Sequence, residues 1–259
     1  MPSFEKRIKR QVVARSMEFF AAASPGLEPL CLRELQALSL VAPEGRAAEG
    51  GVSFNGRLHD GYLANLCLRT ANRVLMRIGA FTASNFFTLE KKLAATPWEL
   101  YVHPGQPLRF NVTARHSRLY HGVAIAERFQ KAIDARWAEA GVDPKPNESA
   151  ALGQQLFIRV VDDHFAVSLD SSGESLYRRG LKKQVTAAPL RETIAAAMLI
   201  LAGYSPPEPL VDPMCGAGSF SLEAAMRSHN IPAGWFRDFA FSGWPAFALT
   251  RKRWQHIKD

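Results

Sequence analysis

Asp212-Pro213-Met214-Cys215-Gly216-Ala217-Gly218-Ser219-Phe220 reads as the end of a strand that turns on glycines into a helix. Leu210 and Val211 close an apolar run that predicts a buried strand, and Gly216 and Gly218 let a ligand approach the backbone closely. Ser219 can cap a helix from Phe220 to about Ser228, with Phe220, Leu222, Ala225 and Met226 facing a sheet. The unpaired N–H groups and positive dipole end of such a helix suit a carboxylate or phosphate. A dinucleotide fingerprint fits less well, because it wants glycine where Ser221 stands and an acid about twenty positions on. Asp238 lies further along, in an aromatic stretch, Phe239 to Trp244, that does not read as a second parallel strand.

Upstream, Met17 to Ala23 predicts a short apolar strand. Ser24 and Pro25 then offer a cap and first turn for a helix with Leu27, Leu30, Leu35 and Leu38 on one side. Gly50 to Gly56 and Val74 to Phe81 predict further strands, with a helix from about His59 to Leu66 between them. A second unit opens near Asn85, with a helix over Leu89 to Leu93 and an alternating strand from Leu108 to Ala114. Arg115-His116-Ser117-Arg118 forms a basic turn before a helix from about Tyr120 to Ala138, whose inward face is Val123, Ala126, Phe129, Ile133 and Trp137. Leu156 to Val161 and His164 to Asp170 flank Asp162-Asp163 and predict a hairpin.

A formal net charge of +8 and a pI near 9.6 favour an anionic partner, nucleic acid first. No apolar run approaches the roughly 20 residues that span a bilayer, so no membrane partner is expected. Cys31, Cys67 and Cys215 have neither paired nor zinc-like spacing, which fits free thiols in a reducing cytoplasm and no metal site. His116 and His121 lack a third ligand type nearby. Phe4 to Arg15 is basic and lacks a secretory core; it reads as a loosely ordered tail over residues 1–16, in preference to a mitochondrial presequence.

The Asp212 segment resembles the first motif of S-adenosylmethionine-dependent methyltransferases of the THUMP-linked RNA class, usually worded Asp-Pro-Met-Cys-Gly-Ser-Gly-Thr. Ala217 and Ser219 are two mild departures. Arg115 to Tyr120 and the Leu156 to Asp170 hairpin resemble a THUMP RNA-binding domain. Ala23 to Glu28 with Gly50-Gly51-Val52 resembles the ferredoxin-like domain that precedes it. Leu176 to Leu181 and Ala188 to Ala197 are similar to the linker and first catalytic-domain helix. The likeness runs in order from about Phe19 to Trp244. It implies α+β ferredoxin-like and THUMP units over 17–82 and 83–172, then the start of an incomplete α/β Rossmann-like methyltransferase domain over 173–259.

The resemblance further implies that Asp212, Pro213, Cys215, Gly216, Gly218 and Ser219 approach S-adenosylmethionine. Methyl transfer from a sulfonium asks mainly for alignment. Cys215 without a base or metal beside it reads as a packing thiol rather than a nucleophile, and Glu223 as a solvated or structural acid. RNA contacts are expected from Arg115, His116, Arg118, Arg178, Arg179, Lys182 and Lys183, each also readable as a solvated loop or linker residue. Trp235 and Trp244 are the tryptophans nearest the expected cleft. The class members that methylate an exocyclic amine carry Asn-Pro-Pro-Tyr after their fourth strand. No such string occurs here; Ser205-Pro206-Pro207-Glu208 precedes the first strand and lacks the amide and the aromatic ring. No acid for the cofactor ribose is identifiable before Asp259.

The expected reading is thus a C-terminally truncated member of the guanine-N2 RNA methyltransferases of large-subunit rRNA, with no catalytic residue assigned. The alternatives are a tRNA substrate, an RNA-binding protein with a vestigial cofactor loop, and, less well supported, a DNA adenine methylase. Oligomeric state is not legible.

Overall fold

Burial alternates along β1 (Met17–Ala23), with Met17, Phe19, Ala21 and Ala23 turned inward, the period of a sheet covered on one face. The computed structural model describes residues 3–139, 153–181 and 190–259. β1 lies between β2 (Gly51–Gly56) and β3 (Ala71–Thr82), antiparallel to both. β3 then pairs with β6 (His164–Asp170), β6 with β5 (Gln154–Val161), and β5 in parallel with β4 (Leu108–Arg115). One six-stranded sheet results, in the order β2-β1-β3-β6-β5-β4. The two expected N-terminal units share this sheet, stitched across β3 and β6 from Leu75 opposite Asp170 to Thr82 opposite His164.

Asp162 and Asp163, at φ 50° and 62°, make the two-residue hairpin turn whose twist matches the right-handed twist of the flanking strands. Asp163 also accepts from the Arg118 backbone N–H at 2.7 Å, tying the hairpin to the basic turn.

Helices α2 (Glu28–Ala37), α3 (Leu58–Cys67), α4 (Phe86–Ala94) and α5 (Gly122–Glu139) contribute to the core on the inward face of the sheet. Ser24 does not cap α2: the left-handed Gly26 (φ 86°) separates them, Leu27 is the cap, and the Ser24 hydroxyl accepts from Asn72. Asn85 caps α4, accepting from the Thr88 N–H at 2.8 Å. On α5 the inward line is Ile125, Phe129, Ile133 and Trp137, every fourth residue, while Val123 is 75% exposed. Ile125, not Val123, takes the first inward position because residues two apart on a helix point to nearly opposite sides.

The N-terminal stretch is not a loose tail. α1 (Phe4–Ile8) runs into a wider turn over Lys9–Val13, burying Ile8 and Val12, and Arg7 meets Glu99 at 2.5 Å.

The C-terminal part contains α6 (Glu192–Leu201), α7 (Ser219–Ser228) and α8 (Phe247–Lys258), with α6 packed on α7. Among the described residues after β6 there is no strand. The Tyr62 ring on α3 stacks on Phe241 at 4.2 Å, and its hydroxyl lies 3.0 Å from that of Thr250 on α8. Trp244 is buried and donates to Gln154 on β5 at 2.8 Å, so this aromatic stretch is core and not cleft wall.

Candidate functional site

Gly216 (φ 51°) and Gly218 (φ 72°) both adopt the left-handed conformation that favours glycine, and they turn the chain into α7. Gly218 is the helix cap, and a Cβ added there would meet nothing within 4 Å, so the loop surface is open to a ligand. The first N–H groups of α7 have no partner within the helix, as at any helix start. The expected Ser219 cap is not formed. Its hydroxyl is buried and donates to the Leu190 carbonyl at 2.8 Å, which pins α7 to the entry of α6.

Asp212 stands at the head of the loop, with one carboxylate oxygen buried and without a hydrogen-bond partner among the described residues. A buried acceptor left unpaired costs roughly 1–3 kcal/mol, so this oxygen calls for a donor that the described residues do not supply. Leu210 and Val211, expected in a buried strand, form none; they are 37% and 84% exposed, and Met214 is 89% exposed. A strand needs a hydrogen-bonded neighbour, and no described residue supplies one here. Cys215 is exposed, which corrects its reading as a packing thiol. The inward face of α7 is Ser219, Glu223, Ala224 and Met226; Ala225 points outward.

Glu223 is fully buried and structural. It accepts from Arg179 at 2.8 Å and from Arg69 at 3.3 Å, and Arg69 also reaches the Ile231 carbonyl at 2.5 Å. Arg179 further donates to the carbonyls of Leu176 (2.8 Å) and Arg69 (2.7 Å). Arg179 is therefore a buried clamp and is withdrawn from phosphate contact, because its donors are spent inside the fold. Burial pulls the Arg69 guanidinium below its ordinary value while Glu223 opposes that shift. Together the three residues bind α7 to the α3–β3 turn. Neither Arg69 nor the burial of Glu223 has a local sequence signal.

The other expected RNA residues scatter. Arg115, His116 and Arg118 are exposed around the end of β4, His116 left-handed at φ 48° and the Arg118 side chain 78% exposed. Arg178 is exposed on the linker and pairs with Glu174 at 3.1 Å. Lys182 and Lys183 lie outside the described residues, as does the Ala188-Pro189 end of the linker. Among the described residues no group of three potential ligands gathers for a metal, and no helix is long and apolar enough to cross a membrane.

The strands β1 and β2 and the glycine-turned loop each lie in a segment that matches a known family model. Residues 18–75 match the RlmL ferredoxin-like domain, and residues 179–258 match the RMKL-like methyltransferase domain. The chain is 37% identical over 237 residues to the ribosomal RNA large subunit methyltransferase K/L of Syntrophotalea carbinolica, covering 88% of this chain and 32% of that protein. It superposes on a "predicted N6-adenine-specific DNA methylase" from Listeria monocytogenes with a TM-score of 0.80 at 29% identity, covering 94% of this chain and 65% of that one. SMU.472, "a putative methyltransferase complexed with SAH", gives 0.78 at 30% identity, covering 95% and 66%. These likenesses support the RlmL/RlmKL-like methyltransferase family, whose cofactor is S-adenosylmethionine. The chain spans 61% of the first curated relative, from Synechocystis, and 32% of the Syntrophotalea protein.

Proposed function

We propose that this chain is the RNA-binding and cofactor-loop portion of a cytoplasmic S-adenosylmethionine-dependent methyltransferase that modifies the exocyclic N2 of guanine in large-subunit ribosomal RNA. The observation that carries the reading is the Asp212 to Gly218 loop: two left-handed glycines, an open surface, a buried carboxylate oxygen unpaired among the described residues and the start of a ten-residue helix. In this proposal residues 17–82 are the ferredoxin-like domain, 83–172 the THUMP RNA-binding domain and 173–259 the N-terminal part of the methyltransferase domain.

The loop fits the methionine half of the cofactor. Asp212 would accept from its ammonium group, the first N–H groups of α7 would donate to its carboxylate, and Gly216 and Gly218 would admit it against the backbone. Pro213, Cys215 and Ser219 would line the same turn, the Ser219 hydroxyl being held by Leu190. The cofactor, when bound, supplies a methyl group that its sulfonium already activates. The chain's own task is to hold donor and RNA in register. Arg115, His116, Arg118 and Arg178 would meet phosphates. No residue here supplies the Asn-Pro-Pro-Tyr function, so the chain by itself binds and does not transfer.

The test is tritiated methyl incorporation from S-adenosylmethionine into unmodified ribosomal RNA and tRNA, beside binding of each RNA and of S-adenosylhomocysteine. RNA and cofactor binding without incorporation is the expected result. Incorporation into ribosomal RNA by this chain alone would refute the need for the missing motif, and tRNA-only binding would replace the substrate. Failure to bind any RNA would overturn the reading.

A further inference from the structure

Beyond the basic turn and linker, the sheet carries a basic surface on the side away from the core. Along β4, Arg109, Asn111, Thr113 and Arg115 are all exposed, the outward half of a strand whose other residues face α5. In register beside them on β5 stand Gln155, Phe157, Arg159 and Val161, so Thr113 lies opposite Arg159 and Arg115 one step diagonally beyond. Side chains paired in this way share one face of the sheet.

The arginines of this face divide into two kinds. Arg73 is spent on Asp170 and on the Phe157 ring, 5.4 Å from its centroid, and Arg77 lies 3.7 Å from Glu18. Arg109, Arg115 and Arg159 have no acidic partner among the described residues. The Glu49–Gly50 loop that leads into β2 and Thr113, Arg115, Arg159 and Val161 of β4 and β5 together line a cleft of about 510 Å³. Two of its lining residues are unpaired guanidiniums and one is an acid, Glu49.

We propose that this cleft seats a single RNA strand, with Arg115 and Arg159 on its phosphates and Arg109 continuing the track along β4. The proposal rests on the RNA reading above and deepens it by moving the main contact from the linker to the open sheet face. Arg109 and Arg115 stand six positions apart on β4, roughly 20 Å of extended chain. That length suits a short single-stranded site of a few nucleotides. A small cleft with a wall on each side admits one strand and excludes a duplex. Glu49, which would repel a phosphate, is placed to accept from a 2′-hydroxyl or an exocyclic amine instead.

The test uses the full chain and fluorescence anisotropy with a 12-nucleotide single-stranded RNA and the same sequence as a duplex, each across a salt series. R115Q/R159Q should bind the single strand at least about tenfold more weakly at low salt and lower the salt slope by roughly 1.4, two contacts at about 0.7 each for a single strand. K91Q/K92Q, which removes two charges from exposed residues of α4 on the helical side, should leave affinity and slope near those of the parent chain. Unchanged thermal melting establishes that both variants are folded. Loss with K91Q/K92Q and none with R115Q/R159Q would overturn the cleft while leaving RNA binding intact. Equal affinity for the duplex would also overturn it. Absence of binding by the parent chain would remove the RNA reading itself.

Discussion

Replacing Glu223 by alanine removes the common acceptor of two guanidiniums that the fold has already taken out of water. Arg179 is 3% exposed at its side chain and Arg69 14%, and their contacts to Glu223 are 2.8 and 3.3 Å. The carbonyls of Leu176, Arg69 and Ile231 remain as acceptors, so hydrogen bonding is partly kept, but no other acid contacts either guanidinium among the described residues. Breaking a buried pair by deleting one partner costs about 3–5 kcal/mol, most of it the stranded charge. For a unit of this size each kcal/mol lowers the melting temperature by about 2–4 °C, so E223A should melt roughly 6–20 °C below the parent chain. The triple variant R69M/E223L/R179M, which removes all three charges of this cluster, should recover most of that loss. The assays are urea denaturation and calorimetry, with hydrogen exchange locating the effect in α7 and the Asp212 to Gly218 loop. A loss below about 1 kcal/mol in E223A, or a triple variant as unstable as the single one, would refute the argument that the stranded charge sets the cost.

Glu99 is 2% exposed and contacts Arg7 at 2.5 Å and Arg136 at 2.9 Å; burial pushes its carboxyl up, but these partners prevail and hold it below the ordinary value. A lowered folded value means stability present above the unfolded pKa, near 4.3, and lost as pH falls through the folded value. The urea midpoint of the parent should exceed that of E99Q at pH 7, and the gap should close below about pH 4. Burial raises the thiols of Cys31 and Cys67 to about 12 and about 11, while Cys215 is exposed. Iodoacetamide at pH 8 should therefore label Cys215 alone in the native chain and all three after denaturation, and S-adenosylhomocysteine should slow the Cys215 reaction; fast labelling of Cys31 would contradict the packing of α2. At Gly180, φ is 83° and a Cβ would lie 2.1 Å from the Phe236 carbonyl oxygen, whereas the equally left-handed Gly218 has open space. G180A should cost well over the roughly 1–2 kcal/mol of left-handed strain expected for G218A, measured by urea denaturation; equal losses would show that the Phe236 backbone gives way freely.

The local pattern alone determined the pieces. An apolar run placed β1 over Met17–Ala23, the Asp162-Asp163 pair marked the β5–β6 hairpin, and two glycines after Asp212 marked the turn into α7, because each depends on residues close to one another along the chain. The tertiary structure decided what these pieces face. Arg179 finds its acid 44 positions away and Arg69 finds the same acid 154 positions away, so nothing in the neighbourhood of either distinguishes a buried clamp from a solvated linker. Likewise, Ser219 sits where a cap belongs, yet the approach of Leu190 turns its hydroxyl inward and leaves the cap to Gly218. The pairing of β3 with β6 makes two expected units into one sheet, and the parallel pairing of β4 with β5 sets on one open face arginines that are unpaired among the described residues. Side-chain chemistry is written along the chain; desolvation and partnership, which set its use, arise only when distant segments meet.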